Sequence, residues 1–370
     1  MVDTVKFYNY LTSHCLDFFT GVPDSLLKEF CSCIKDNSDE KHNIIAANEG
    51  NAVGLAAGYY LSTGKFGVVY MQNSGEGNAV NPLLSLADPK VYSIPMLLII
   101  GWRGEPGVHD EPQHVKQGEV TLKLLDAMDI PYRVLSDDYD KDLAYLCELA
   151  KKENRPVCLV VKKGMFSKYS PIMKTKNIMG ELLREEALEI ILDSIGSDPV
   201  VSTTGKESRE IFEIRERKQQ GHGHDFLTVG SMGHTSSIAL GVSIGTIRNV
   251  WCLDGDGSFI MHMGSLAIAG QTAGQNFKYI INNNAAHESV GGQPTVCNKI
   301  DIKSILIACG FAKTYEARTK EEIVNAISNM KKNGKCALIL YTKQGSREDL
   351  GRPTTTPIQN KVEYMAQFKK

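Results

Sequence analysis

The sequence predicts an α/β protein with two doubly wound parallel-sheet domains. Short apolar runs of strand length alternate with amphipathic stretches in both halves of the chain, and strands separated by helices form parallel sheets covered on both faces. A polar segment lies between the halves, and 370 residues are enough for two ordinary hydrophobic cores. We place the first domain at residues 1–168, a linker at 169–180 and the second domain at 181–370.

The first half contains five predicted strands and two predicted helices. The strands are Phe18–Pro23, Asn43–Ala47, Gly67–Met71, Met96–Ile100 and Val157–Val161. Between the first two strands, Ser25–Ile34 has apolar residues at helical spacing, with Asp24 as its predicted N-cap. Gly50–Ser62 is rich in Gly and Ala, and we predict a small-residue helix there.

The segment Tyr169–Ile178 breaks this alternation with Ser170, Pro171 and lysines, which is typical of a linker. Beyond it the alternation resumes with the amphipathic helix Arg184–Ile195. The predicted strands of the second half are Val200–Thr204, Asn249–Leu253, Phe277–Ile281 and Leu338–Thr342. We detect no repeat at the level of sequence.

Composition and charge exclude several classes of protein. The formal net charge of −2 gives no basis for a nucleic-acid or membrane-surface partner. The nine cysteines include no CxxC pair, so we expect reduced thiols in a cytoplasmic protein. Residues Met1–Tyr10 lack the apolar core of a signal peptide, and the longest apolar run, Ile94–Ile100, is too short to span a bilayer.

The strongest functional signal is a set of polar residues that follows two strands of the second half. Asn249–Leu253 leads into Asp254–Ser258, and a helix is predicted beyond it at Met263–Ala269. Phe277–Ile281 leads into three asparagines, Asn282–Asn284. Carboxylate and amide oxygens suit Mg²⁺, and glycines at a helix N-terminus suit phosphates. Because ligands of such sheets bind at the carboxyl ends of strands, we predict a magnesium–diphosphate site here.

This pattern resembles the GDG…NN motif of thiamine-diphosphate enzymes, in which the Asp, the second Asn and a later backbone carbonyl hold Mg²⁺. Three asparagines in a row leave two registers open. Spacing from Asp256 selects Asn283, whereas the downstream run selects Asn284 with the carbonyl of Ala286, and we prefer Asn284. For cofactor binding in this half, the resemblance implies Gly255, Asp256, Gly257, Ser258 and Asn284.

In the first half, Glu49 lies where an apolar strand passes into the small-residue helix. Thiamine chemistry needs a carboxyl in an apolar site to bond N1′ of the aminopyrimidine. Glu49 resembles the activating glutamate of the family, and we expect Ser74 and Gly75 to contact the cofactor as well. The family implies a pyrimidine-binding first domain, a diphosphate-binding second domain and a homodimer or larger homo-oligomer, with active sites between subunits.

Longer strings are similar to the phosphonopyruvate decarboxylase family over nearly the whole chain. They are Gly21–Ser25, Gln72–Gly75, Asn78–Pro82, Gly101–Gly104, Asp110–His114, His287–Thr295 and Gly345–Pro353. The resemblance implies non-oxidative decarboxylation of 3-phosphonopyruvate through a thiamine-diphosphate ylid, in phosphonate biosynthesis. A decarboxylase of sulfopyruvate or another short 2-keto acid is the alternative. Glu76 departs from the pattern, because we expect an apolar residue at its position.

A doubly anionic substrate needs hydrogen-bond donors and cations around it. The residues that we expect to bind it are Ser25, Arg103, Gln113, Arg347 and Arg352. Asp24, His114 and His287 are the candidate proton donors, and the sequence leaves the choice among them open.

Overall fold

The computed structural model describes residues 1–172 and 179–369. The chain divides into one unit of Met1–Lys174 with Val290–Gln293, and another of Thr175–Ser289 with Pro294–Lys370. Of the predicted linker, residues 173–178 lie outside the described part of the chain. At its start, the Tyr169 backbone N–H donates to Glu29 Oε2 at 2.8 Å, so this residue is fixed to the first unit.

A six-stranded parallel sheet forms the centre of the first unit. Its strands are β1 (Phe19–Gly21), β2 (Asn43–Ile45), β3 (Val68–Gln72), β4 (Met96–Gly101), β5 (Tyr132–Val134) and β6 (Pro156–Val161). The helices are α1 (Thr4–Ser13), α2 (Lys28–Asn37), α3 (Glu49–Thr63), α4 (Glu76–Pro82), α5 (Pro112–Ala127) and α6 (Tyr139–Glu153). The strand order is β2-β1-β3-β4-β6-β5, and neighbouring strands are parallel throughout.

Helices cover both faces of this sheet, and the side chains of each strand divide between them. Val68 and Tyr70 of β3 pack into the apolar cluster on one face, and Val69 and Met71 pack into the cluster on the other. Every residue of β4 is buried. This explains why the central strands appear in the sequence as continuous apolar runs.

The second unit contains another six-stranded parallel sheet. Its strands are β7 (Val200–Ser202), β8 (Asp225–Leu227), β9 (Val250–Gly255), β10 (Phe277–Asn283), β13 (Lys313–Ala317) and β14 (Cys336–Tyr341), and the chain also forms short strands β11 (Ala286–His287) and β12 (Gln293–Pro294). The helices are α7 (Arg184–Ile195), α8 (Lys206–Arg217), α9 (Thr235–Ile244), α10 (Asp256–Met261), α11 (Ser265–Thr272), α12 (Ile302–Cys309), α13 (Lys320–Lys332) and α14 (Pro357–Ala366). The strand order is β13-β14-β10-β9-β7-β8.

The two units have the same topology. We number the strands of each sheet from 1 to 6 along the chain. The first order is then 2-1-3-4-6-5, and the second is the same when it is given from β8 to β13. In both sheets the winding reverses between the first and third strands, where open α/β sheets bind ligands at the carboxyl ends. The prediction of an α/β fold with two doubly wound parallel sheets is confirmed.

Two predicted helices have different bounds in the structure. Helix α2 begins at Lys28, after Leu27 as N-cap. The prediction that Asp24 caps this helix is wrong, because Asp24 Oδ2 accepts a hydrogen bond from the nearby Leu26 backbone N–H at 3.0 Å. Instead of the helix predicted at Met263–Ala269, the structure has α10, which begins directly at the polar motif, and then α11.

Strands β5, β8 and β13 were not predicted. Each lies at an edge of its sheet. Edge strands are only partly covered, so they need no continuous apolar run; in β13, only Ala317 is fully buried. The sequence signal is therefore weakest where the sheets end.

All nine cysteines lie within the described ranges and are free thiols. Burial raises the pKa of Cys31 to about 12 and that of Cys33 to about 11, which makes these thiols unreactive. Among the helices described, none combines the length and the apolar character needed to cross a bilayer.

Helices α11 and α12 approach closely at Gly270, where an added Cβ would overlap the backbone carbonyl of Cys309. We expect Gly270→Ala to reduce the free energy of unfolding by about 2 kcal/mol, seen as a lower midpoint of urea unfolding by circular dichroism. Gly264→Ala is the matched control, because nothing lies within 4 Å of its added Cβ, and it should change stability by less than about 0.5 kcal/mol. Equal midpoints for the two variants would contradict the close approach.

Candidate active site

Glu49 is a buried acid at the carboxyl end of β2. It is the first residue of α3, and only 5% of it is exposed. Burial raises its pKa above the ordinary value, and a hydrogen bond from Asn78 Nδ2 to Oε2, 2.8 Å long, offsets part of this effect. Glu49 therefore holds its proton more tightly than an exposed glutamate, as its predicted role requires.

The loop after β3 lies directly against Glu49. A Cβ on Gly75 would overlap the Glu49 carboxyl, so glycine is needed at this position. The neighbouring Ser74 is exposed, and its Oγ accepts a hydrogen bond from Gln72 Nε2 at 2.6 Å. The structure thus brings together Glu49 and Gly75, which are distant in sequence.

Arg103, a predicted substrate residue, is held by two partners. Its Nε and Nη2 donate to the Asp110 carboxylate at 2.7 and 2.5 Å, and its Nη1 donates to Ser25 Oγ at 2.8 Å. Although burial opposes it, hydrogen bonding to Arg103 holds the pKa of Asp110 well below its ordinary value. We did not predict this pairing, although Asp110 belongs to one of the strings that resemble the family.

The backbone after β4 gathers the other candidates of the first unit. Added Cβ atoms would overlap the Asp24 carboxyl at Gly101 and the His114 backbone at Gly104. Asp24 is fully buried with no partner for Oδ1, and burial raises its pKa to about 6. Gln113 Nε2 lies 3.4 Å from His114 Nε2. The residues that surround this stretch of backbone are Asp24, Ser25, Arg103, Gln113 and His114.

In the second unit, Asp256 is a buried acid at the carboxyl end of β9. Only 4% of it is exposed, and its two oxygens accept hydrogen bonds from the Gly257 N–H at 2.9 Å and from Thr295 Oγ1 at 2.6 Å. Burial nevertheless raises its pKa to about 6. Since a nearby cation would favour the charged carboxylate, Asp256 is suited to bind one. The contact with Thr295 was not predicted, because 39 residues separate it from Asp256, although Thr295 belongs to one of the strings that resemble the family.

The three asparagines, for which two registers were left open, lie at the end of β10 and directly after it. Asn283 is the last residue of the strand, and Asn284 is the first residue beyond it. Ala285 takes a left-handed φ of 58°, and the Ala286 N–H then donates to Asn284 Oδ1 at 3.0 Å. The Ala285 and Ala286 amides also lower the pKa of Asp256, against the larger effect of its burial. Asn283 Oδ1 accepts in the same way from the Ala285 N–H at 3.1 Å, so these contacts do not distinguish the two registers, and Asn284 stays a prediction.

His287 lies beside the same motif. A Cβ on Gly257 would be 2.7 Å from His287 Nδ1, and burial lowers the pKa of His287 to about 4, so its ring is neutral at pH 7. Ser258 Oγ accepts a hydrogen bond from the Gly233 N–H at 3.1 Å. The predicted residues at this edge of the second sheet are Gly255, Asp256, Gly257, Ser258, Asn284, Ala286 and His287.

The predicted arginines of the C-terminal segment have other surroundings. Arg347 Nε donates to Glu185 Oε2 at 2.8 Å, and its guanidinium also pairs with Glu213 and Asp349. Arg352 is exposed. Because three carboxylates already match the charge of Arg347, its predicted role in substrate binding has no support from this geometry and stays a prediction.

A charged network beside Asn284 was missed by the sequence analysis. Asn284 Nδ2 donates to Glu288 Oε2 at 3.0 Å. Glu288 also accepts from Arg184 Nη1 at 2.7 Å and from Lys206 Nζ at 3.3 Å, and Arg184 makes two further bonds to Glu210. Arg184 is 104 residues from Glu288, so no local pattern connects them.

Glu76, where we expected an apolar residue, is buried. It is the first residue of α4, 2% exposed, and its Oε1 has no hydrogen-bond partner. Burial raises its pKa to about 8, and a hydrogen bond with Thr121 opposes the shift only in part. The environment is therefore apolar although the residue is not, and Glu76 carries a proton at neutral pH.

Two family models match this chain. Residues 6–129 match "Thiamine pyrophosphate enzyme, N-terminal TPP binding domain" and residues 203–340 match "Thiamine pyrophosphate enzyme, C-terminal TPP binding domain". Thiamine pyrophosphate is the same compound as thiamine diphosphate. The two sheets are therefore those of a thiamine-diphosphate enzyme.

Similarity to individual proteins shows to which family of thiamine-diphosphate enzymes the chain belongs. The chain is 33% identical to phosphonopyruvate decarboxylase of Streptomyces viridochromogenes, over 92% of this chain and 88% of the relative. It is 32% identical to phosphonopyruvate decarboxylase of Streptomyces hygroscopicus, over 91% and 86% of the two chains. Sulfopyruvate decarboxylase of Methanosarcina acetivorans is 25% identical, over 85% and 84%. The chain belongs to the phosphonopyruvate decarboxylase family, and the resemblance stated from its sequence is confirmed.

Burial of Glu76 predicts a pH-dependent stability. Its pKa is raised from an ordinary 4.5 to about 8, so the wild type should lose stability relative to Glu76→Gln as pH rises from about 4.5 to 8, by at most about 1.4 kcal/mol per pH unit. Urea midpoints of both proteins at pH 5, 7 and 9 measure this difference. Glu119→Gln is the control: Glu119 is exposed and its pKa is lowered by its hydrogen bond to Lys116, so its effect should be constant above pH 5. A constant difference for Glu76→Gln would contradict the burial.

Proposed function

We propose that this chain catalyses the non-oxidative decarboxylation of 3-phosphonopyruvate to phosphonoacetaldehyde and CO₂, as a step in 2-aminoethylphosphonate biosynthesis. The observation that carries the proposal is its membership of the phosphonopyruvate decarboxylase family, which spans both units and includes Glu49 and Asp256. Among relatives that match most of the chain, the sulfopyruvate decarboxylase of Methanosarcina acetivorans is more distant, at 25% against 33% identity, which supports phosphonopyruvate as the substrate.

The residues of the second unit fit a magnesium–diphosphate group. Among the described residues, no three His, Cys, Asp or Glu side chains lie together as a metal site, so a divalent cation here would also need amide and backbone oxygens. We propose the Asp256 carboxylate, the Asn284 amide oxygen and the Ala286 carbonyl, a hard oxygen set that suits Mg²⁺. Gly255, Gly257 and Ser258 would hold the diphosphate, at the N-terminus of α10.

The first unit fits the aminopyrimidine. When bound, thiamine diphosphate supplies an electron sink for decarboxylation in its thiazolium ring. Glu49 would hold a proton at its carboxyl and exchange it with the aminopyrimidine nitrogen, and burial, which raises its pKa above the ordinary value, favours the protonated form that this exchange needs. Ser74 and Gly75 line the cofactor beside Glu49. The loop glycine keeps that surface open, because a larger residue would displace the carboxyl.

Asp24 is the best supported proton donor of the three candidates. Its pKa of about 6 leaves a fraction of the carboxyl protonated at pH 7, and its unpaired Oδ1 is free to deliver that proton. His287, with a pKa of about 4, is neutral at pH 7 and suits hydrogen bonding to the substrate better than proton delivery. His114 is buried near Gln113 and stays a second candidate.

We propose that the phosphonate binds near Arg103 in the first unit. Asp110 and Ser25 use three of the five guanidinium N–H groups, which leaves two for an anion. Gln113 Nε2 lies 3.4 Å from His114 Nε2, and both side chains can add hydrogen-bond donors. Arg347 and Arg352 are weaker candidates, because Arg347 is matched by carboxylates and Arg352 is exposed.

We further propose a cytoplasmic homodimer or larger homo-oligomer. Apolar side chains on helices of both units are uncovered: Leu61 is 72% exposed, Ile244 69% and Ile268 63%. On α3, nothing lies within 4 Å of a Cβ added to Gly54 or Gly58, so another helix can approach closely there. Such apolar surfaces suit contact with a second copy of the chain. The free cysteines fit a reducing compartment.

Turnover of two substrates by the purified chain tests the proposed reaction. With thiamine diphosphate and Mg²⁺, we expect aldehyde and CO₂ from phosphonopyruvate, with kcat/KM at least roughly tenfold above that for sulfopyruvate. EDTA should abolish turnover and added Mg²⁺ should restore it. A higher kcat/KM for sulfopyruvate, or no aldehyde from either substrate, would sink the proposal.

Variants of the two buried acids should have different effects. Glu49→Gln should still bind thiamine diphosphate but lose turnover by on the order of 10²–10⁴-fold, because the amide cannot exchange the proton. Asp256→Ala should fail to retain the cofactor. Fluorescence titration measures binding, and the aldehyde assay measures turnover. Glu148→Gln, at an exposed glutamate, is the control and should match the wild type; full turnover by Glu49→Gln would show that the activator is another residue.

A further inference from the structure

The charged network beside Asn284 has a defined geometry. Glu288 Oε2 accepts hydrogen bonds from Asn284 Nδ2 and from Arg184 Nη1, at 3.0 and 2.7 Å. Side-chain exposure is 7% for Arg184 and 12% for Glu288. From this geometry we propose that Glu288 is a positioning residue that orients the Asn284 amide for cation binding, with Arg184 as its anchor. The inference rests on the proposed function, in which Asn284 is a Mg²⁺ ligand.

The two ends of an amide differ, and only one can bind a cation. Oδ1 is an acceptor, whereas Nδ2 can only donate. An ionised carboxylate can only accept, so Glu288 fixes Nδ2 of Asn284 toward itself. The opposite amide orientation would place two oxygens against each other. Glu288 therefore selects the orientation that directs Asn284 Oδ1 away from the Glu288 carboxylate and toward the Ala286 N–H, which donates to it at 3.0 Å.

Arg184 keeps Glu288 in place. Its Nε and Nη2 donate to both oxygens of Glu210 at 2.6 and 2.7 Å, which fixes the plane of the guanidinium, and Nη1 remains for Glu288. Lys206 binds the other Glu288 oxygen at 3.3 Å and Ser346 Oγ at 2.8 Å. Buried ion clusters of this kind add little net stability, because desolvation opposes the charge attraction. Their defined hydrogen bonds serve orientation instead.

Divalent-cation affinity is the direct readout of this role. Residues that hold a metal ligand in position typically change affinity by about 10- to 100-fold when they are replaced. Mn²⁺ is a suitable probe because it shares the oxygen ligands of Mg²⁺ and is followed by electron paramagnetic resonance. We propose to titrate it into the full chain saturated with thiamine diphosphate.

Two substitutions of Glu288 separate orientation from charge. Glu288→Met has similar size but no acceptor, and should weaken Mn²⁺ binding by about 10-fold. Glu288→Gln keeps an oxygen that can accept from Asn284 and Arg184, and should change the affinity less than about 3-fold. Ile191→Val, in the buried core of α7, controls for lost stability and should leave Mn²⁺ affinity unchanged.

The outcomes distinguish this inference from the metal assignment. Asn284→Ala should weaken Mn²⁺ binding in the same titration, and Asn283→Ala should not. If Asn284→Ala binds like the wild type, or the wild type binds no Mn²⁺, the proposed metal site fails and this inference fails with it. If Asn284→Ala is weakened but Glu288→Met is not, or if Ile191→Val is weakened as much as Glu288→Met, only the role of Glu288 is overturned.

Discussion

In both units an acidic side chain is buried where a parallel strand ends, and this burial is the constraint on which the surrounding structure depends. A carboxylate that leaves water must be hydrogen-bonded, neutralised by a cation, or protonated. Glu49 and Asp256 meet this constraint with few partners, Asn78 for one and Thr295 with backbone amides for the other. Their pKa values remain raised as a result. The surrounding backbone is shaped to admit them, through a glycine beside Glu49 and a left-handed turn beside Asp256.

The sequence predicted the centre of each sheet and little of its edges. Buried strands such as β4 consist of continuous apolar residues because helices cover both faces. The edge strand β2 was predicted, but the other three edge strands were not, and the polar strand β13 has no apolar run that a hydrophobicity pattern could detect. The start of α2 was also misplaced. Aspartate is a common N-cap residue, but Asp24 accepts its hydrogen bond from the Leu26 N–H, and the helix begins later, at Lys28.

In the candidate site, several residues could be predicted from the sequence, but the residues that bond to them could not. Asp256 and Asn284 could be named because each follows its own strand. Thr295 and Arg184 could not, since they reach the motif from segments 39 and 104 residues away from their partners, and only the folded topology brings them there. Glu76 illustrates the opposite case: an apolar residue was expected at this position, and the carboxyl found there is buried, which raises its pKa to about 8.

The two units share one strand order but have different polar residues at their strand ends. Glu49 follows the second strand of its sheet, whereas Asp256 follows the third strand of the other. At the position equivalent to Asp256, the first unit has the loop of Asn73, Ser74 and Gly75, and the second unit has no acid in the first residues after β8. In the proposed roles of Glu49 and Asp256, the two copies of one topology are therefore specialised, because each places its acid after a different strand.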